Sequence, residues 1–184
     1  MDASAAFTIR VATHDDIPAI KALIELSVRG LQREDYPPSQ IDSSIGSAFG
    51  IDHQLLDDRT YFIATTIDDP STLIASGGWS FRRTLCGSDQ LRERDSSALD
   101  PAVDYAKIRG IYVHPQWARR GLGSLLLQYS EQAAQDAGFR RFEMGSTLTG
   151  VPLYALRGYV EQERMGLPLP NGESLEVVRM IKSL

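Results

Sequence analysis

The chain has 184 residues, a formal charge of -5 and 42% hydrophobic residues. That size fits one domain with a true core, no stretch approaches the ~20 apolar residues of a membrane span, and the acidity argues against a bulk nucleic-acid binder. Cys86 is the only cysteine, which excludes an internal disulfide, and residues 1–6 lack the basic start and apolar centre of a secretory signal, so a cytoplasmic protein is expected.

Residues 7–11 alternate apolar and polar side chains, which predicts a strand. Thr13 and Asp16 have the spacing of a capping box, with Asp in place of the usual Glu or Gln. Ile17, Ile20, Leu23, Ile24, Val28 and Leu31 then recur at helical spacing, predicting a helix that ends near Gly30. Tyr36-Pro37-Pro38 interrupts, and residues 39–49 are read as a second helical stretch. Residues 59–67 form a β-rich run. The turn at 68–71 and the apolar run at 72–79 complete a hairpin. Residues 82–100 are polar and charged and read as a long loop, a place where function is often found.

A strand is predicted at 106–113. A helix from Leu122 to Ala137 follows, with Leu122, Leu125, Leu126, Tyr129 and Ala133 on one face and Gly138 as its C-terminal cap. A strand at 140–147, a short helix at 152–157 closed by Gly158, and strands at 159–166 and 175–181 around Pro170-Asn171-Gly172 finish the chain. The order β-α-α-β-β-β-α-β-α-β-β predicts an α/β or α+β fold, one domain over residues 1–184, with a mixed central sheet flanked by helices.

The most informative run is Ile111-Tyr112-Val113-His114-Pro115 followed by Ala118-Arg119-Arg120-Gly121-Leu122-Gly123-Ser124. An apolar strand ends at His-Pro. A loop with two arginines and two glycines then opens a helix, which brings free N–H groups and positive charge together for an anion. A tight turn with solvated arginines would read the same way. The Walker A pattern is absent. A dinucleotide fingerprint fails because Leu126 occupies the third glycine position.

These residues resemble motif A of the GCN5-related N-acetyltransferase (GNAT) superfamily, in which Leu-Tyr-Val-x-Pro precedes Arg/Gln-x-x-Gly-x-Gly/Ala and a long helix. Ala118 departs from the pattern, where Gln or Arg is frequent, and Arg119 could serve instead. The element order is similar to the superfamily over essentially the whole chain. The resemblance implies a GNAT-like domain with a splayed strand pair and an acetyl-CoA cosubstrate. Its pyrophosphate would lie on the N–H groups and side chains of Arg119, Arg120, Gly121, Leu122, Gly123 and Ser124, and its pantetheine arm along the backbone of Ile111, Tyr112 and Val113. It also implies direct attack of a neutral amine on the thioester, with an oxyanion donor at the N–H of Val113 or its neighbour.

Leu153-Tyr154-Ala155-Leu156-Arg157-Gly158-Tyr159 resembles the superfamily's Leu-Tyr-x-x-x-Gly-Phe, which implies Tyr154 as the acid for the leaving thiolate; a packed aromatic is the alternative. Glu143, which by strand alternation shares a face with Arg141 and Gly145 while Phe142 and Met144 take the other, is the candidate base, with Asp104 and a water relay as alternatives. Some members carry a glutamate on the preceding strand, where this chain has Lys107. His114 suits a strand-end residue better than a base. His14 and His53 are assigned to a helix entry and a loop, and neither these histidines nor Cys86 has metal-ligand context, so no metal is expected. Gly77-Gly78 permits a bulge or close backbone approach. Trp79 could wall an acceptor pocket and Arg82 could hold an acceptor carboxylate, or both could be structural; Tyr36 and Phe49 could line the acceptor side. The expected activity is N-acetylation of a small-molecule amine. Acetylation of a protein N-terminus or lysine, a non-catalytic acyl-CoA-binding module, and a different nucleotide-binding domain stand as alternatives. No nucleic-acid or membrane partner is expected; pairing of C-terminal edge strands would give a homodimer.

Overall fold

The computed structural model describes residues 7–90 and 94–184. Residues 1–6, on which the reading of the N-terminus rests, and residues 91–93 of the long loop lie outside the described residues. The elements are β1 (Phe7–Val11), α1 (Ile17–Leu31), α2 (Pro38–Ser44), α3 (His53–Asp57), β2 (Tyr61–Thr66), β3 (Leu73–Ser80), β4 (Ala106–Val113), α4 (Leu122–Asp136), β5 (Arg141–Thr147), α5 (Val151–Leu156), β6 (Val160–Pro168) and β7 (Ser174–Ser183). The strands form one sheet in the order β1-β2-β3-β4-β5-β7-β6. Only β4 and β5 pair in parallel; the other neighbours are antiparallel. No described helix is long and apolar enough to cross a membrane.

Each face of the sheet carries its own core. Ile20, Leu23 and Val28 of α1, Ile41 of α2 and Leu55 of α3 pack with Ile63, Tyr112 and Val177 on one face. Leu122, Leu126 and Leu127 of α4 pack with Phe139, Phe142 and Trp79 on the other. These helices are stable because their apolar stripes are removed from water in this way. The Thr13–Asp16 capping box forms: the Asp16 carboxylate accepts from the Thr13 N–H at 2.8 Å and from Arg10 at 2.7 Å. These bonds, that to Arg10 first, hold the Asp16 carboxyl down at about 2. Left-handed Gly138 and Gly158, with φ of 98° and 90°, close α4 and α5 as expected.

The stretch 39–49 departs from the expected single helix. α2 stops at Ser44, and Gly46 turns the chain at φ 86°. The short α3, not anticipated from periodicity, follows; Asp52 caps it by accepting from the Gln54 N–H at 3.1 Å. Five residues are too few for a periodic signal to stand out.

β4 carries a bulge against the Gly77-Gly78 pair of β3. Ser76 faces Tyr112 and Gly78 faces Arg109, so Gly110 and Ile111 together oppose Gly77. Gly110 sits at φ 55°. A Cβ on Gly77 would stand 2.8 Å from Ile111 Cγ1, and one on Gly78 only 2.3 Å from the Thr60 carbonyl oxygen. Gly78→Ala must therefore move backbone, and it is expected to lower the free energy of unfolding by about 3 kcal/mol. Urea denaturation of the variant against the parent chain measures this.

Candidate active site

β4 and β5 meet at Ala106–Phe142 and Lys107–Glu143 and then separate. The edge of β4 that faces β5 beyond Lys107 has no strand beside it. A cavity of about 100 Å³ fills this gap. Its walls are Ile108 to Tyr112 of β4, Met144 to Thr147 at the β5 end, Tyr154 of α5, Phe49, and the 85–87 loop. Tyr154 and Met144 belong to the core on the α4 face, and Phe49 and Tyr112 to the core on the α1 face. The cavity thus passes through the sheet. On the α1 side Phe49 and Cys86 also line an open groove of about 1500 Å³, bounded by Lys21, Glu25, His53, Asp89 and the Met165–Pro170 stretch.

An anion cradle lies at the α4 end. Arg119 and Gly121 are both left-handed, with φ of 64° and 84°. The N–H groups of Arg119, Arg120, Gly121, Leu122, Gly123 and Ser124 find no hydrogen-bond acceptor among the described residues, and the first amide of the turn to close is that of Leu125 on Gly121 O. Such a row of free amides at a helix start, with its dipole behind it, takes a phosphate or pyrophosphate. The Arg119 side chain is exposed, and the Arg120 guanidinium lies 4.9 Å above the Trp117 ring. A Cβ on Gly123 would stand 3.2 Å from Leu153 and 3.7 Å from Val113, so the missing side chain lets the helix start, the end of β4 and α5 converge. The cradle is therefore joined to the cavity through Val113 and Leu153, and the unpaired edge of β4 runs between them. His114 N–H bonds back to Ile74 O on β3. By alternation the Val113 N–H points to the opposite edge, where it meets Ser27 Oγ at 3.3 Å. These features fit the anionic and amide-bearing arm of coenzyme A.

Tyr154 is buried, its ring 6.0 Å edge-on from Tyr159, and its hydroxyl makes no hydrogen bond among the described residues. Burial pushes its pKa up, which keeps the phenol protonated. Burial likewise raises the Tyr112 phenol and the Cys86 thiol. Gln32 of the α1 C-terminus also faces the cavity, and its Oε1 is buried without a partner. Leaving such an acceptor unmet costs about 1–3 kcal/mol.

The other expected residues stand elsewhere. Glu143 lies on the predicted face of β5 but at the closed end of the gap, outside the cavity lining. It is bonded to Lys107 Nζ, and it accepts from Arg179 Nε at 2.8 Å. Its oxygens are committed to two cations, an arrangement that favours a counter-ion over the expected base. Asp104 binds the Asp100 N–H and approaches Arg83 at 3.7 Å. Burial, and after it Arg179, pushes the Lys107 amine down to about 8. Trp79 is buried against Phe139 and Phe81 in the core, not in a pocket wall. Arg82 is held by Asp58 at 2.6 and 2.7 Å and by Ser96 O, which leaves it no fork for a ligand carboxylate. Phe49 lines both the cavity and the α1-side groove, whereas the Tyr36 hydroxyl ties Glu176 O to the Leu148 N–H. His114 Nδ1 accepts from the Gln116 N–H and so caps its turn. Among the described residues no three His, Cys, Asp or Glu side chains cluster to hold a metal ion.

The residue most important to the cavity floor was not singled out from sequence. Arg109 donates to Asp52 at 2.9 Å, to Gly87 O at 2.7 Å and to Thr84 O at 3.0 Å. Arg94 meets the other Asp52 oxygen at 2.8 Å and donates to Ser88 O. This network pins residues 84–88 and Arg94 to the start of α3 and to β4.

The family model of the acetyltransferase (GNAT) family matches residues 26–159. The chain belongs to that family. A GCN5-related N-acetyltransferase structure from Rhodopseudomonas palustris is similar with a TM-score of 0.69 and 21% identity, over 97% of this chain and 96% of that one. The PaiA N-acetyltransferase from Thermoplasma acidophilum, solved with coenzyme A, is similar with a TM-score of 0.65 and 15% identity, over 97% and 99%. The putative acetyltransferase YncA of Salmonella typhimurium, solved with acetyl-CoA, is similar with a TM-score of 0.59 and 17% identity, over 97% and 94%. No curated protein sequence matches the chain.

Arg109→Met breaks one arm of a buried ion pair and strands two carbonyls. It is expected to destabilise the protein by about 3 kcal/mol, read from urea denaturation, and to raise the exchange rate of amides in the 84–90 loop.

Proposed function

We propose that this chain is an N-acetyltransferase that moves the acetyl group of acetyl-CoA to a primary amine of a small molecule. The observation that carries the reading is the free amide row of Arg119–Ser124 leading along an unpaired strand edge to a cavity where Tyr154 holds an unpartnered hydroxyl. The cradle binds the pyrophosphate, aided by Arg119 and Arg120. The open edge of β4 pairs with the pantetheine amides. The Val113 N–H, released from Ser27, supplies the oxyanion donor. The thioester provides the activated acetyl group.

The acceptor enters from the groove on the α1 side and meets the cofactor in the gap. Its neutral nitrogen forms the C–N bond, the C–S bond breaks, and the electron pair stays on sulfur. Tyr154 donates its proton to that sulfur and is reprotonated by the proton the nitrogen loses, carried by water. A small acceptor fits a transfer point of about 100 Å³ at the end of the groove.

Calorimetric titration tests the first half: micromolar binding of acetyl-CoA, with ATP far weaker, is the expected result, and no binding by folded protein rejects the reading. Tyr154→Phe is expected to lower kcat about 100-fold with the acetyl-CoA Kd unchanged; unchanged turnover removes the acid role. Because burial raises the Tyr154 pKa above its ordinary 10.0, the acid form persists through alkaline pH. The parent kcat should therefore show no falling limb below that value.

A further inference from the structure

The cavity is lined largely by apolar side chains, and among the described residues it offers a cation no free carboxylate. Its titratable and charged walls are Asp52 at the start of α3, Tyr61 on β2, Cys86 in the loop, Arg109 and Tyr112 on β4, and Tyr154 on α5. Asp52 is the one carboxylate lining it among the described residues, and both of its oxygens are taken, by Arg109 at 2.9 Å and Arg94 at 2.8 Å. The Tyr61 hydroxyl donates to Gly110 O at 2.7 Å. An ammonium carried in here would lose its water and gain no counter-charge, a cost that favours the neutral form. Against this stands one side-chain acceptor without a donor among the described residues, the buried Oε1 of Gln32, a residue that lines the cavity. Gln32 follows α1, on the groove side of the sheet. Carboxylates do occur further out in the groove, at Glu25, Asp89 and Asp95, but Lys21 and Arg83 line it too. Selection is therefore made at the transfer point.

We infer that the gap between β4 and β5 is a subsite for a weakly basic primary amine, entering uncharged, with one of its N–H groups donated to the Gln32 carbonyl. The substrate class is the α-amine of a peptide-like or amino-acid-amide molecule, or an aryl amine, and not a lysine-type alkylamine. The hydrogen bond to Gln32 turns the nitrogen lone pair toward the thioester and satisfies the orphaned Oε1. No internal base is then required before attack, in keeping with the engagement of Glu143 and Asp52. The inference rests on acetyl transfer to amines and adds which amines.

The experiment compares the dipeptide Ala-Phe with Nα-acetyl-lysine amide as acceptors at pH 7.5, following thiol release. An α-amine of pKa near 7.9 and an ε-amine near 10.4 differ roughly 200-fold in neutral fraction at that pH. The expected kcat/KM ratio is at least of that order, with kcat/KM for each amine rising with pH until its own pKa is passed. Gln32→Leu keeps the volume, and it should lower kcat/KM for Ala-Phe about tenfold while the acetyl-CoA Kd stays constant. Gln32→Glu places a charge where the cavity has none to spare, and it should move the ratio toward the lysine amide by about tenfold. Equal or better use of the lysine amide by the parent protein overturns the inference and leaves acetyl transfer standing. A weakened acetyl-CoA Kd in Gln32→Leu puts the Gln32 carbonyl on the cofactor and overturns it as well. Acetyl-CoA binding with neither amine turned over overturns the inference, and acetyl-CoA binding with no thiol released over a broad panel of amines overturns acetyl transfer itself.

Discussion

β4 and β5 share a ladder at their first residues and then part, and the side chains at the point of parting are charged and buried. Lys107 and Glu143 face each other there, and Arg179 of β7 reaches the second Glu143 oxygen at 2.8 Å. Buried charges are tolerable only when paired in this way. The cluster fastens the closed end of the gap while the strands diverge beyond it. A sheet that opens in its middle leaves main-chain donors and acceptors without partners, which is costly unless something else meets them. The bulge at Gly110 helps to turn β4 away, and it is held by Tyr61, whose hydroxyl reaches Gly110 O at 2.7 Å. Gly77 and Gly78 are the space this bend requires on β3. Cavity, open strand edge and helix start all follow from the parting of two strands.

What could be read from sequence is what the backbone does over short distances. The cradle is encoded in consecutive residues: His114 and Pro115 end a strand, Arg119 and Gly121 take left-handed conformations, and Leu122 starts an amphipathic helix. Glycines 77 and 78 likewise announce a close approach before the partner strand is known. Glu143 was assigned to the correct face of β5, since alternation fixes that; its distance along the strand from the open part of the gap depends on the β4–β5 register, which alternation does not fix. Trp79 failed for a related reason. Every residue of β3 is buried, so the strand carries no polar face to orient it. Only the pairing with Ile108 shows that Trp79 turns toward Phe139.

The acceptor side is written in contacts between distant segments. Arg109 and Asp52 are 57 positions apart, and the loop carbonyls that Arg109 gathers are 22 and 25 positions from it. The one local signal for Arg109 is its charge in a strand whose other residues, Lys107 apart, are uncharged, since a charge there must find a buried partner; the partners themselves lie in distant segments. Gln32 is similar: it follows an ordinary helix, and its importance appears only as an amide oxygen buried with no donor.

The two halves of the site consequently differ in kind. On the α4 side the recognition groups are main-chain amides, which no substitution short of a proline or a change of backbone conformation can remove. On the α1 side they are side chains, contributed by Gln32 after α1, Asp52 at the start of α3 and Arg109 of β4. Charge follows the same division. The cradle presents free donors and two arginines to an anion, whereas the charges around the cavity are spent internally, Arg109 and Arg94 on Asp52 and Arg94 also on Asp89. An electroneutral chamber beside an electropositive cradle suits a reaction in which the cofactor arrives as a polyanion and the nucleophile must arrive without charge. In the proposed transfer, the desolvation that penalises an ammonium also strengthens a hydrogen bond from Tyr154 to the thiolate, so a single feature of the cavity, its lack of an unspent charge, would serve both the entry of the amine and the departure of the thiol.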